Sequence, residues 1–246
     1  PPSEAVVASI AGAVASAARG LNRYPDREFR ELRGALAAYL EREAQVTGLD
    51  ADHLWAANGS NEIMLHLLQA FGGPGRTALS FAPTYSMYPE YARDTHTRWV
   101  AGRREEDFTL DVDAAIALIR EEQPAVVFLP SPNNPTGTAL PISAVEQILA
   151  AARTSGPDGA ATVVVVDEAY AEFRREGTPS ALSLLADNRH LVVTRTSSAP
   201  APRVRWSTEE PRMWPATSNR ARTPGTGSNS SSKSCGVSRS RAVQAS

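Results

Sequence analysis

The chain reads as an α/β protein built on a mostly parallel sheet, and three observations point there. Ala125-Val-Val-Phe-Leu129 and Thr162-Val-Val-Val-Val166 are short, unbroken apolar runs rich in β-branched residues, the pattern of strands buried on both faces. Between them, residues 143–153 read as the crossover helix that a parallel pair requires. Each run ends in a polar constellation, Ser131-Pro-Asn-Asn-Pro-Thr-Gly137 and Asp167-Glu-Ala-Tyr170. Parallel sheets bind ligands at the carboxyl ends of their strands, which makes this rim the candidate site.

The remaining elements follow in order. Residues 3–18, rich in alanine and valine, predict a first helix that Gly20-Leu-Asn-Arg-Tyr-Pro25 breaks. Asp26 is expected to cap a packing helix over residues 27–45, where Phe29, Leu32, Leu36, Tyr39 and Leu40 recur at helical spacing. Ser60 is the expected N-cap of an amphipathic stretch, residues 63–71, in which His66 reads as a core or interface histidine. Gly72-Gly-Pro-Gly75 is a turn; it lacks the lysine and hydroxyl residue of a P-loop, and no Gly-x-Gly-x-x-Gly fingerprint occurs. Residues 77–81 form a short strand with Pro83-Thr-Tyr-Ser-Met-Tyr88 at its carboxyl end, and residues 97–100 form another. Asp111 caps a helix through Arg120, which Pro124 stops. After Tyr170, Thr178 is expected to cap a short helix through Asp187, and His190 opens a last strand through Thr196.

Composition narrows the partners. At 246 residues and 42% hydrophobic content, the chain has material for one large domain or two small ones. No run approaches the roughly 18 apolar residues of a membrane span and no signal peptide opens the chain, so a cytoplasmic protein without a membrane partner is expected. The single cysteine, Cys235, rules out an internal disulfide framework and fits a reducing compartment. The chain opens on Pro1 rather than methionine, as a fragment or processed product would. Net charge is −2, but residues 197–246 hold eight basic and two acidic residues, leaving −8 for the rest. The arginines of that segment are scattered without an aromatic stacking pattern, so nucleic acid is not an expected partner. No pair of His or Cys residues has metal-ligand spacing, and no Ser/His/Asp arrangement shows a nucleophile motif.

The chemistry gathers at the rim. Asp167 follows four valines, so its carboxylate emerges where the strand leaves the core. An unpaired buried charge costs several kcal/mol, and a protonated ring nitrogen or a metal ion would offset it. Tyr170 and Asn134 stand where a phenol and an amide could reach the same ligand. Pro135 fixes φ and Gly137 permits a tight turn beside them. The helix start at Ser60 offers free N–H groups and a dipole, an anion site. Singly, each of these residues is an ordinary cap or strand-end group; their joint appearance makes a site.

Asn133-Asn134-Pro135-Thr136-Gly137, followed by Asp167-Glu-Ala-Tyr170, resembles the fold-type I aminotransferases that use pyridoxal phosphate. Within that family, Asn22-Arg-Tyr24-Pro-Asp26, Asn58-Gly-Ser-Asn-Glu62 and Pro83-Thr-Tyr85-Ser-Met-Tyr88 resemble the histidinol-phosphate aminotransferase branch. The resemblance covers roughly residues 1–196, with five motifs in the family's order. It implies a three-layer α/β/α large domain, incomplete here, with the small C-terminal domain missing. It implies pyridoxal 5'-phosphate as cofactor, glutamate and imidazole-acetol phosphate as small-molecule substrates in histidine biosynthesis, and a homodimer. By resemblance, Asp167 would pair with the pyridinium nitrogen, and Asn134 and Tyr170 would hydrogen-bond the phenolic oxygen. Tyr85 would stack on the ring, the backbone around Ser60 and Asn61 would hold the phosphate, and Tyr24 would reach a phosphate across the dimer interface. An adjacent carboxylate favours a protonated pyridine by roughly 1–3 pKa units, and that proton makes the ring an electron sink.

One motif departs from the family. Relatives of this kind continue from a strand like Val192-Val-Thr-Arg-Thr196 into a Ser-Lys dipeptide whose lysine binds the cofactor. Here the chain reads Ser197-Ser-Ala-Pro-Ala-Pro-Arg203: Ser198 stands for the serine, with Ala199 or Pro200 near the lysine's place. The sole lysine, Lys233, matches nothing in the motif. No catalytic residue is therefore identified, and the chain is expected to be inactive or nearly so; losing acid–base help alone costs about 10²–10⁴-fold. Residues 197–246, rich in Ser, Pro, Arg, Thr and Gly, read as a disordered low-complexity tail, and the abrupt switch reads as out-of-frame translation. Two competing functions stand beside the main one: a phenylalanine-type aromatic aminotransferase of the same branch, and a non-catalytic α/β binding module.

Overall fold

Alternation along the strands decides which helices each face of the sheet carries. The computed structural model describes residues 3–196; the expected tail, with Lys233, Cys235 and the inferred change of frame, lies outside the described residues. The strands are β1 (Thr77–Ala82), β2 (Arg98–Arg103), β3 (Val126–Pro130), β4 (Val163–Asp167) and β5 (Leu191–Thr194). All pair in parallel, in the order β2-β1-β3-β4-β5. The helices are α1 (Glu4–Ala17), α2 (Arg30–Ala44), α3 (Gly59–Phe71), α4 (Tyr88–Asp94), α5 (Val112–Glu122) and α6 (Ile142–Ala152).

Leu79, Phe81, Val127, Leu129, Val164 and Val166 point to one face, where Ile119 of α5 and Val145, Ile148 and Leu149 of α6 cover them. Ala78, Val126, Phe128 and Val165 point to the other, against Met64 and Leu68 of α3 and Tyr88 and Tyr91 of α4. Side chains alternate with period two, so a strand buried on both faces needs a helical layer on each side. The result is the expected α/β/α sandwich. The chain leaves β1 outward to β2, then returns to pair β3 on the other side of β1. That reversal opens a crevice at the carboxyl ends of β1 and β3.

Several boundaries move. The expected strand 97–100 runs on to Arg103 because it pairs along the whole of β1, through Ala82↔Arg103. α2 starts at Arg30 rather than residue 27: Asp26 accepts from the N–H groups of Glu28 (2.9 Å) and Arg30 (3.0 Å), forming a turn ahead of the helix, with Phe29 left-handed at φ 49°. Asp111 does cap α5, accepting from Ala114 N at 3.0 Å. The helix expected behind Thr178 is a short 3₁₀ turn, Ala181–Leu184, whose cap is Ser180. The seven residues of α4 are too few for a periodic signal, so no helix is expected there from sequence.

Candidate active site

Strand parity sets the floor of the site. Asp167 follows Val163 and Val165 at two-residue steps, so its side chain emerges on the face that carries α3 and α4. There the buried Tyr88 hydroxyl donates to Asp167 Oδ2 at 2.7 Å. Thr194 Oγ1 donates to Oδ1 at 2.9 Å, reached because Asp167 and Thr194 are register partners, and Ala169 N donates at 3.2 Å. Among the described residues the carboxylate, 7% exposed, has three donors, all neutral, and no cation pairs with it. Its charge remains available to a cationic ligand. Burial first, then the Asp167 charge, push the Tyr88 phenol far above its ordinary value, so it stays protonated and donates.

The walls come from three loops. Gly137, at φ +72°, turns the loop after β3 back on itself, with Gly137 N donating to Asn133 O at 2.8 Å. Asn133 is spent inside that loop, its amide donating to Pro83 O at 3.1 Å and Thr136 Oγ1 at 2.7 Å. Asn134 instead donates to the Tyr170 hydroxyl at 3.1 Å, joining the β3 and β4 loops. Tyr85 donates to Asn61 Oδ1 at 3.3 Å and rests on the Tyr88 ring, centroids 5.4 Å apart at 80°.

The rim is the start of α3. Asn58, not Ser60, occupies the N-cap position, and Gly59 with φ +79° makes the entry. The Glu62 carboxylate accepts from Asn58 N, and Ser60 sits within the first turn. Its hydroxyl meets Thr196 Oγ1 at 3.1 Å. First-turn N–H groups of a helix lack intrahelical acceptors and favour anions.

Ser60, Asn61, Tyr85, Asn134, Asp167 and Tyr170 together line one cavity of about 220 Å³. Tyr88 and Thr196 line it too, and the sequence reading assigned neither a role. Thr196 stands two residues past the end of β5, a position the sequence reaches; that Tyr88 points into the cavity depends on how α4 packs. Tyr24 is apart from this cavity, with its ring fully exposed. A larger groove of about 680 Å³, mostly apolar, lies between α2, α3 and β5; His66 lines it half-exposed, so it is not a core histidine. Glu168 faces away from the cavity, accepting from Ser180 Oγ (2.8 Å) and Ala181 N (2.7 Å) and pairing with Arg195 (2.8 Å). Arg195 also meets Glu43 at 3.0 Å, which ties the exit of β5 to α2. Among the described residues no group of His, Cys, Asp and Glu is arranged to hold a metal, and no helix is long and apolar enough to cross a membrane.

A carboxylate floor, an aromatic wall, a polar amide–phenol pair and a helix N-terminus at the rim suit a flat heteroaromatic ring with a positive edge and an anionic arm. A histidinol-phosphate aminotransferase of Bifidobacterium longum is 57% identical over 80% of this chain and 52% of its own length. One of Thermobifida fusca is 59% identical over 80% of this chain and 50% of its own. The chain therefore spans about half the length of these curated relatives. A histidinol-phosphate aminotransferase of Sinorhizobium meliloti, solved with pyridoxal-5'-phosphate, superposes with TM-score 0.61 at 21% identity, covering 79% of this chain and 48% of its own. The N-succinyldiaminopimelate aminotransferase of Mycobacterium tuberculosis does so with TM-score 0.64 at 22% identity, over 76% and 48%. At those identities the likeness is one of fold. The family model for aminotransferase class I and II matches residues 1–199, and the chain belongs to that family.

Proposed function

We propose that this chain is a histidinol-phosphate aminotransferase by descent, with pyridoxal 5'-phosphate as its cofactor and glutamate and imidazole-acetol phosphate as its substrates in histidine biosynthesis. Asp167 carries the reading: a carboxylate without a cationic partner among the described residues, held at the floor of a cavity that Asn134, Tyr170, Tyr85 and the start of α3 also line. The names of the curated relatives, of whose length this chain spans about half, support the substrate.

The residues fit the cofactor. Asp167 would face the ring nitrogen and keep a proton there, each pKa unit of preference being worth about 1.4 kcal/mol. The Asn134 amide and Tyr170 hydroxyl would orient the phenolic oxygen. Tyr85 would stack on the ring, and the Ser60 and Thr196 hydroxyls with the N–H groups around Asn61 would hold the phosphate. When bound, the cofactor supplies an electron sink for the substrate's reacting carbon. Titrating pyridoxal phosphate into the chain and into Asp167→Asn, followed by tryptophan fluorescence, tests the reading. A loss of about tenfold or more in affinity is expected from the charge term; equal affinity for the two proteins would end it.

We also infer weak or absent turnover, because Ala199 or Pro200 stands where the family resemblance expects the cofactor-binding lysine. A visible absorbance band removed by borohydride would refute this, since it reports a covalent bond between cofactor and protein. The working unit we propose is a cytoplasmic homodimer. The exposed Tyr24, and the exposed Val7, Ile10 and Val14 on one stripe of α1, support a second copy.

A further inference from the structure

We propose that Tyr88 is the positioning residue of this site, setting the Asp167 carboxylate for a ring nitrogen. The inference rests on the pyridoxal phosphate reading above. Tyr88 is wholly buried and stacked on Phe128, with centroids 4.7 Å apart and planes 12° from parallel, so its ring is fixed by the sheet itself. Its hydroxyl holds Asp167 Oδ2 at 2.7 Å while Thr194 and Ala169 hold Oδ1. Both oxygens are therefore pinned and the plane of the carboxylate is set before any ligand arrives. Preorganisation of this kind acts only on a ligand that uses the carboxylate. The same ring supports Tyr85 from its edge, but that contact needs the ring alone and survives loss of the hydroxyl.

Tyr88→Phe removes one oxygen and keeps both aromatic contacts. Its test compares pyridoxal phosphate with the analogue whose ring nitrogen is replaced by carbon, each titrated into wild type, Tyr88→Phe, Asp167→Asn and the double variant. Near-ultraviolet circular dichroism checks that the variants keep the fold. Tyr88→Phe is expected to weaken pyridoxal phosphate about tenfold and leave the carbon analogue unchanged, with no further loss when added to Asp167→Asn. Equal losses for both ligands, or losses that add in the double variant, would overturn the role. If wild type fails to bind pyridoxal phosphate, the proposed function falls and this inference with it. If Asp167→Asn discriminates between the ligands and Tyr88→Phe does not, Tyr88 alone loses its role. Should Tyr88→Phe not fold, the phenol proton resonance of the wild-type chain serves instead. It is expected to move when pyridoxal phosphate binds and to stay when the carbon analogue binds; a resonance that ignores both overturns the proposal.

Discussion

Asp167 and Tyr88 lie 79 positions apart, and only one of them could be read from the sequence. The carboxylate was legible because four valines run directly into it, so its exit from a buried strand follows from pattern alone. Its partners were not. Whether a phenol or a threonine meets it depends on strand register and on which face α4 packs against, and neither is written in local sequence. The buried phenol has a consequence for stability. Its folded pKa is raised and its unfolded value is about 10, so its stabilisation is complete below about pH 10 and is lost as pH climbs from there. Wild type is expected to lose stability to denaturant more steeply than Tyr88→Phe between about pH 9.5 and 11.5. Parallel slopes would contradict this.

Elements whose ends depend on side-chain chemistry differ in how legible those ends are in sequence. Asp111 capped α5 as expected, since the next residues continue a helix without interruption. Asp26 did not start α2 directly, because Phe29 takes a left-handed conformation and delays the helix to Arg30. The Asp26 carboxyl is held below its usual range, first by the Glu28 N–H and then by that of Arg30. A depressed folded pKa stabilises above the unfolded value and that contribution is lost as pH falls through the folded one. Asp26→Ala is therefore expected to cost stability at pH 7 and to match wild type once the carboxyl of both states is protonated, measured by urea midpoints at pH 7 and in acid. In the crossover, Ile148 of α6 is fully buried, so Ile148→Ala should cost about 2–5 kcal/mol in the same measurement. The loop after β3 carries its own constraint: Gly137 at φ +72° admits a Cβ only at about 1–2 kcal/mol. Gly137→Ala should weaken pyridoxal phosphate binding through Asn134, while Gly34→Ala within α2 should leave binding unchanged.

Across the whole molecule, the order β2-β1-β3-β4-β5 assembles residues from five separate stretches at one end of the sheet. That end also adjoins the apolar groove beside β5, and α1 carries an exposed valine and isoleucine stripe. If that stripe joins two copies, Ile10→Glu should shift the chain from dimer to monomer in sedimentation at equal concentration, leaving far-ultraviolet circular dichroism unchanged. A dimer that survives the substitution would exclude the stripe from the interface. The sequence by itself determined the α/β class, the parallel strands and the rim residues Asn134, Asp167 and Tyr170. Those rest on local periodicity and on strand ends, which a single chain segment encodes. Only the tertiary structure decided that Asn133 serves its loop, that Ser60 is not a cap, and that Tyr88 and Thr194 hold the carboxylate. These depend on register and on helix packing across distant segments, and no local pattern carries that information.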